Sequence, residues 1–345
     1  MGAVDRLDGF QRRHRWLGMP LAVVYKFADD QGMHLAALMA FYGFLSLFPL
    51  LLLLVSTLAA VLQNDPTLQQ QVLNSALRNF PVLGDQLKHN IHSFRGSGVA
   101  LAVGVLGSLY GGLGVTQAVQ HALNKMWAVP RHARPDPVRS RVRGLLFIAL
   151  LAVGLLSTTG VSVVASSARA FGLRFEGGVR VGAVLGVVLL NAALLVLTVR
   201  VLTRARIDVR YLWGPAVGGA CAWQALQWGG AYYVRHYLNG AGATYGLFAI
   251  VLGLLAWLYL AALGFVLTVE AAAVRAHRLW PRSLLTPFTD DVLLTEADRR
   301  AYRSYATTAS FKGFQEVHVE FHGQPFPGPD KGGGDKAVDK PSRES

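Results

Sequence analysis

The sequence predicts an all-α, polytopic membrane protein with six transmembrane helices, and three observations carry that prediction. Apolar residues make up 52% of the chain and charged ones only 15%, against about a quarter charged in ordinary soluble domains. Nearly uncharged stretches recur that reach the roughly 20 residues a helix needs to cross hydrocarbon. Lys and Arg fall in short clusters between those stretches rather than along one face, so the formal net charge of +13 reads as membrane orientation and not as a nucleic-acid footprint.

Residues 1–33 form a basic segment, cytoplasmic or interfacial. Arg6, Arg12, Arg13, Arg15 and Lys26 interrupt any apolar core a cleavable signal would need, and Trp16, Leu17, Leu21, Val24, Tyr25 and Phe27 are suited to the headgroup layer. The membrane domain is expected over 34–277, its first span at 34–62 serving as its own insertion signal. Asp65 and Pro66 then cap a new helix, and Leu68, Val72, Ala76, Leu77 and Phe80 recur at helical spacing. Pro81 ends it, and Leu83, Leu87, Ile91 and Phe94 repeat the device, so 65–94 reads as short amphipathic helices that lie flat and face the periplasm. The remaining spans fall at about 98–124, 144–168, 179–199, 211–233 and 245–274. Between the second and third lies a basic loop, where Pro130, Pro135 and Pro137 stop any helix from running through. The tail, 278–345, starts a short helix at Thr295 and Asp298, a capping-box pair, and is expected to be disordered from about 323, where Pro, Gly, Lys and Asp dominate.

Counting basic residues orients the bundle. The segments 1–33, 125–143, 200–210 and 275–282 hold eighteen Lys and Arg, and the opposite segments 64–97, 171–180 and 235–244 hold six. Positive residues stay inside, so both ends are expected in the cytoplasm.

Polar groups within apolar spans are the first candidates for function, because hydrocarbon offers them no partners. In the second span Tyr110, Gln117, His121 and Asn124 fall within roughly 60° at 100° per residue. Gly104, Gly107, Gly111 and Gly114 form a stripe about 90° away, where another helix can approach closely. The four polar residues either line an internal cavity or lock the bundle through interhelical hydrogen bonds. Ser46 and Pro49 mark an expected helix bend in the first span, since Pro49 cannot donate to the Leu45 carbonyl and Ser46 is placed to satisfy the disturbed backbone. Tyr245, Tyr259 and Glu270 share one face of the last span. Glu270 lies roughly 38 Å beyond Tyr245 at about 1.5 Å per residue, which puts it near the cytoplasmic headgroups with a loop arginine as its expected partner. Asn191, Gln224 and Gln227 are read as helix-to-helix hydrogen bonders.

Several chemistries are disfavoured. The single cysteine, Cys221, permits no disulfide framework and no cysteine metal cluster within one chain. His89 with His92, and His318 with His322, each lack a third ligand, so no metal and no cofactor is expected. No Walker loop, dinucleotide fingerprint, His-Glu-x-x-His or Gly-x-Ser-x-Gly motif is present, and the chain is not expected to be an enzyme.

A set of short motifs resembles the YihY/BrkB family of bacterial inner-membrane proteins over about residues 15–280. They are Ala36-Ala37 through Phe41-Tyr42; Ser46-Leu47-Phe48-Pro49-Leu50; Leu123-Asn124-Lys125-Met126-Trp127; Tyr245-Gly246; and Trp257-Leu258-Tyr259 leading to Glu270. Where that family usually has Gly-Ala before its glutamate, this chain has Thr268-Val269, so close packing is expected to differ there. The resemblance implies a six-helix protein of the cytoplasmic membrane with a role in envelope integrity or lipid transport. The ribonuclease label once attached to the family is not carried over, because no His/Asp cluster is present to hold a catalytic metal. The expected function is transport or flipping of a lipid or other amphiphile, with membrane lipids, including anionic ones, as partners and no nucleic acid. The alternative is a scaffold whose basic cytoplasmic loops recruit partners or anionic lipid.

Overall fold

The computed structural model describes residues 3–61, 98–170, 176–205, 207–233, 246–289 and 292–321. These residues are helical with short connections, and no strand occurs among them. The helices are α1 (Ala3–Arg13), α2 (Arg15–Asp29), α3 (Gly32–Val61), α4 (Gly98–Met126), α5 (Pro137–Ala170), α6 (Glu176–Leu202), α7 (Val209–Tyr233), α8 (Gly246–His277) and α9 (Glu296–Thr308), with a 3-10 turn at Arg131–Ala133. The amphipathic helices predicted at 65–94, with His89 and His92, lie outside the described residues, as do Tyr245, His322 and the tail from 323.

Helices α3 to α8 form a closed ring: each packs on the next, and α8 returns to α3. At the end where α4, α6 and α8 finish and α3, α5 and α7 begin, the ring is filled. Leu35, Met39, Leu123, Met126, Phe147, Val196, Leu202, Leu212, Val266 and Val269 make one buried apolar cluster there. Large apolar side chains also cover the outside. Leu146 and Leu151 on α5, Leu185 and Leu189 on α6, and Leu252 and Leu260 on α8 are all exposed, a surface that soluble monomers rarely present and that lipid requires.

By length and composition, three segments among the described residues are able to cross a bilayer: Pro137–Thr158, Val184–Leu202 and Val251–His277. The apolar stretch Gly32–Leu47 is shorter. Helices α3, α4 and α7, with 30, 29 and 25 residues, have the length to cross as well.

Turn chemistry at the filled end is specific. Helix α4 stops in a Schellman motif, with the Val129 N–H donating to the Asn124 carbonyl at 2.8 Å and Ala128 to Lys125 at 2.9 Å. Ala128 occupies its left-handed position at φ 50°, where glycine is the usual residue. Helix α8 ends the same way at Arg278, φ 53°, with Leu279 donating to Val274 at 3.0 Å. Beyond it α9 opens with the predicted capping box, Thr295 and Asp298 bonding reciprocally. A second small core of Ala22, Val274, Leu279 and Ala301 ties α2 to the end of α8 and to α9. Both terminal regions therefore sit at the filled end of the ring.

Candidate functional site: a polar stripe on α4 and a buried charge cluster

The orientation of α4 is set by two close contacts. A Cβ at Gly111 would lie 2.6 Å from Ser46 Cα, and one at Gly114 would lie 2.5 Å from the Tyr42 ring. Only hydrogen fits at these positions, so the predicted glycine seam against α3 holds at Gly111 and Gly114. On another face Gln120 Nε2 donates to the Ser140 carbonyl at 3.0 Å, and Ser140 Oγ returns a bond to Gln120 Oε1 at 2.7 Å. Thr116 lies under Gly144, whose Cβ would stand 2.6 Å from its Oγ1. Helix α4 is thus clamped between α3 and α5.

That clamp corrects the predicted internal polar face. Tyr110 is 74% exposed, and Gln117 and His121 are exposed as well. Asn124 alone of the four is buried, with its Nδ2 donating to the Gln120 carbonyl at 2.8 Å. A 60° wedge straddles the boundary between the inner and outer faces, and the glycine and glutamine contacts turn three of its members outward. The buried polar surface consists instead of Thr116, Gln120 and Asn124. Gln120 was missed although it sits one turn before Asn124; the spacing that joined Tyr110 to Gln117 and His121 passed it by.

One apolar crevice, lined by Val196, Leu212, Pro215, Thr268 and Val269 among others, has a volume of about 10 Å³, room for about one water.

In α3, Ser46 is buried and its Oγ donates to the backbone carbonyl of Gly43 at 2.9 Å. Its place is against Gly111. The helix runs on through Pro49 to Val61. Tyr259 is half-buried against the main core, Cys221 is exposed, and Gln227 Oε1 is buried without a hydrogen bond, unlike the interhelical bond expected of it.

Glu270 is completely buried, and its partner is Lys26 rather than a loop arginine. Lys26 Nζ stands 3.2 Å from Glu270 Oε2 and 2.5 Å from Asp30 Oδ2, and neither oxygen of Glu270 accepts a well-aligned hydrogen bond. Of the arginines after α8, Arg282 is engaged elsewhere: its Nε donates to Asp298 Oδ1 at 2.9 Å and Nη1 to Asp29 Oδ2 at 2.8 Å. Tyr305 OH donates to the same Asp29 oxygen at 3.0 Å. Asp298 also accepts from the Ser283 and Thr295 backbone N–H groups, both at 3.0 Å. Tyr25 OH and Gln11 Nε2 donate to the Leu284 and Arg282 carbonyls at 2.7 and 2.6 Å.

Burial works against the charge on Lys26, but Glu270 and Asp30 outweigh it and hold the ammonium above its ordinary range. Arg282 behaves alike, its burial offset by hydrogen bonds to Asp29 and Asp298. Burial, then the charge of Asp29, pushes the Tyr305 phenol up. Sequence reasoning missed Lys26, Asp29, Asp30 and Arg282 as one cluster, since the three N-terminal residues lie some 240 positions from Glu270. The available signal was an i,i+4 Lys-Asp pair closing the C-terminal end of a mostly apolar helix.

Glu270 and His121 are not brought together. One is enclosed with Lys26; the other is exposed, and the charges bearing on it are those of Arg134, Lys125 and Arg131. Among the described residues no group of three His, Cys, Asp or Glu converges as a metal site, and His318 pairs only with nearby Glu316 at 3.4 Å.

Compared with known proteins, residues 23–287 match a family model described as Virulence factor BrkB. No curated protein and no solved structure matches the chain.

Proposed function

The chain belongs to the BrkB family, and on that premise we propose that it is a multi-pass protein of the bacterial cytoplasmic membrane that moves a lipid or other amphiphile between leaflets along the outer face of α4. The observation that carries this reading is the exposed line of Tyr110, Gln117 and His121 on a ring whose exposed large side chains are mainly Leu and Val. From Tyr110 to His121 it covers about 16 Å at 1.5 Å per residue, half of a hydrocarbon core of about 30 Å. A polar side chain facing lipid is costly, and the cost falls when a passing headgroup supplies the missing partner.

In this reading all six ring helices cross the membrane, and the filled end faces the cytoplasm. The excess of Lys and Arg in the segments that gather there supports the orientation. The predicted amphipathic helices at 65–94 then meet the outer leaflet, and no chemical step is assigned to the protein. Reconstituted in liposomes with a fluorescent phospholipid, the chain is expected to make inner-leaflet label accessible to an external quencher. Gln117→Leu should slow that exchange about tenfold, the effect of losing one hydrogen bond to a charged headgroup. An unchanged lipid distribution with folded protein would contradict the reading.

A second reading, a scaffold, is supported by Phe314, 88% exposed and next to Gly313, which faces His132 of the basic loop. Protein partners crosslinked through 131–143, with His121→Ala leaving the phenotype intact, would favour it.

A further inference from the structure

We infer that His121, Lys125, Arg131 and Arg134, where the α4 stripe reaches the filled end of the ring, form a binding site for a phosphate-bearing anion presented as the headgroup of an anionic phospholipid. The inference rests on the reading of α4 as a lipid path and names the headgroup class that path receives.

The site is built by the end of α4 and the turn after it. Lys125 lies one turn beyond His121 on the same face, so the stripe Tyr110, Gln117 and His121 continues into an ammonium group. The left-handed Ala128 redirects the chain, and Arg131 opens and Arg134 follows the 3-10 turn Arg131–Ala133. Their positions are fixed by neutral partners. The Arg131 N–H donates to the Ser310 carbonyl at 3.1 Å, and the Arg131 guanidinium lies 4.4 Å over the Phe311 ring. Arg134 Nε donates to the Val129 carbonyl at 3.4 Å, and Lys125 Nζ to Gln31 Oε1 at 3.1 Å. The charges of Arg134, Lys125 and Arg131 all bear on the His121 ring.

These cations have no acid partner among the described residues. Lys26, Arg282, Arg139, Arg210 and Arg12 each pair with an Asp or Glu, whereas no carboxylate among the described residues pairs with Lys125, Arg131 or Arg134. Burial and the charge of Arg131 both work against the charge of Arg134, and an adjacent anion would offset them. Two guanidinium forks and one ammonium, carried by the end of α4 and the turn after it, match the chemistry of a tetrahedral oxyanion with several acceptor oxygens.

The source is lipid rather than free phosphate because an apolar seat adjoins the site. Tyr42, packed on Gly114, stacks edge-on with Phe41 at 5.5 Å. Phe41, Leu38 and Leu45 form an exposed apolar face of α3 beside the α4 stripe, where an acyl chain can lie while its phosphate meets the cations.

The test uses the full-length chain in zwitterionic phosphatidylcholine nanodiscs, titrated with phosphatidylglycerol and followed by native mass spectrometry. Wild type is expected to retain phosphatidylglycerol selectively. Arg131→Gln and Arg134→Gln should each weaken retention about tenfold, and Arg139→Gln, on an exposed side chain already paired with Asp136, should leave it within twofold. Should Arg134→Gln fail to fold, Lys125→Gln carries the same expectation without touching the turn. Equal weakening by Arg139→Gln would overturn the site in favour of diffuse attraction. Displacement of the lipid by an equal concentration of inorganic phosphate would overturn its lipid source. Selective binding in a chain that exchanges no lipid would sink only the transport reading, whereas exchange indifferent to Arg131→Gln and Arg134→Gln would sink only this inference.

Discussion

Lys26 is 2% exposed between Asp30 and Glu270, so removing it leaves two carboxylates in the interior without their cation. Lys26→Met is expected to destabilise the folded chain by about 3–5 kcal/mol, the range for breaking a buried ion pair from one side. The added change Glu270→Gln should restore part of that loss, because the stranded charge is then gone. Thermal unfolding in detergent measures both, and equal melting temperatures for wild type and Lys26→Met would refute the pairing. At Ala128 the sign reverses. A non-glycine residue at φ 50° costs about 1–2 kcal/mol of backbone strain, so Ala128→Gly should raise the melting temperature rather than lower it. A fall would show that the Ala128 methyl makes packing contacts outweighing the strain. Single residues were the least legible part of the sequence. Glu270 stood out as an acid in an apolar run, but its partner lies far away in sequence, and only the packing of α2 on α8 makes Lys26 nearer than any arginine.

At the scale of the element, α9 illustrates both what sequence reading reaches and where it stops. Thr295 and Asp298 announced its start, because a capping box is a local device written in four residues. That Asp298 also holds Arg282 and the Ser283 N–H was hidden, since those bonds come from another element. Asp298→Ala therefore removes a cap worth about 1 kcal/mol and a buried partner of Arg282 together. Amide hydrogen exchange in α9 should accelerate about tenfold or more while α6 is unchanged, and unaltered α9 protection would count against the latch. The phenols give this region an alkaline limit. Burial first, then the charge of Asp29, raises the proton affinity of Tyr305 above its ordinary value of 10.0, and burial raises Tyr25 and Tyr302 likewise. The unfolded chain loses these protons first, so their contribution is complete below about pH 10 and is lost as pH rises beyond it. Tyr305→Phe should flatten the fall in stability above pH 10 without steepening it below; an unchanged alkaline limb would mean the phenol does not titrate with unfolding. Helix α4 shows the opposite limit of legibility. Its glycine seam was readable from spacing, but spacing cannot say which side of a polar wedge faces in, and the contacts at Gly111, Gly114 and Gln120 decide that.

For the whole molecule, the all-helical class followed from composition and from the length of the apolar runs, which are properties of the chain itself. The closed order of the ring, α3 through α8 and back, depends on side-chain complementarity between helices and had no signature in periodicity. Both terminal regions, the basic turn after α4 and the α6 to α7 connection meet at one end of that ring. The transport reading requires that end to face the cytoplasm, with the stretch between α3 and α4 on the other side.

Accessibility of single cysteines in a Cys221→Ser background tests this most directly. A membrane-impermeant maleimide should label cysteines at Arg13, Arg139 and Phe314 only in inverted vesicles, and a cysteine at His89 only in right-side-out vesicles. Labelling of positions 139 and 89 from the same side, or of 13 and 314 from opposite sides, would contradict the account.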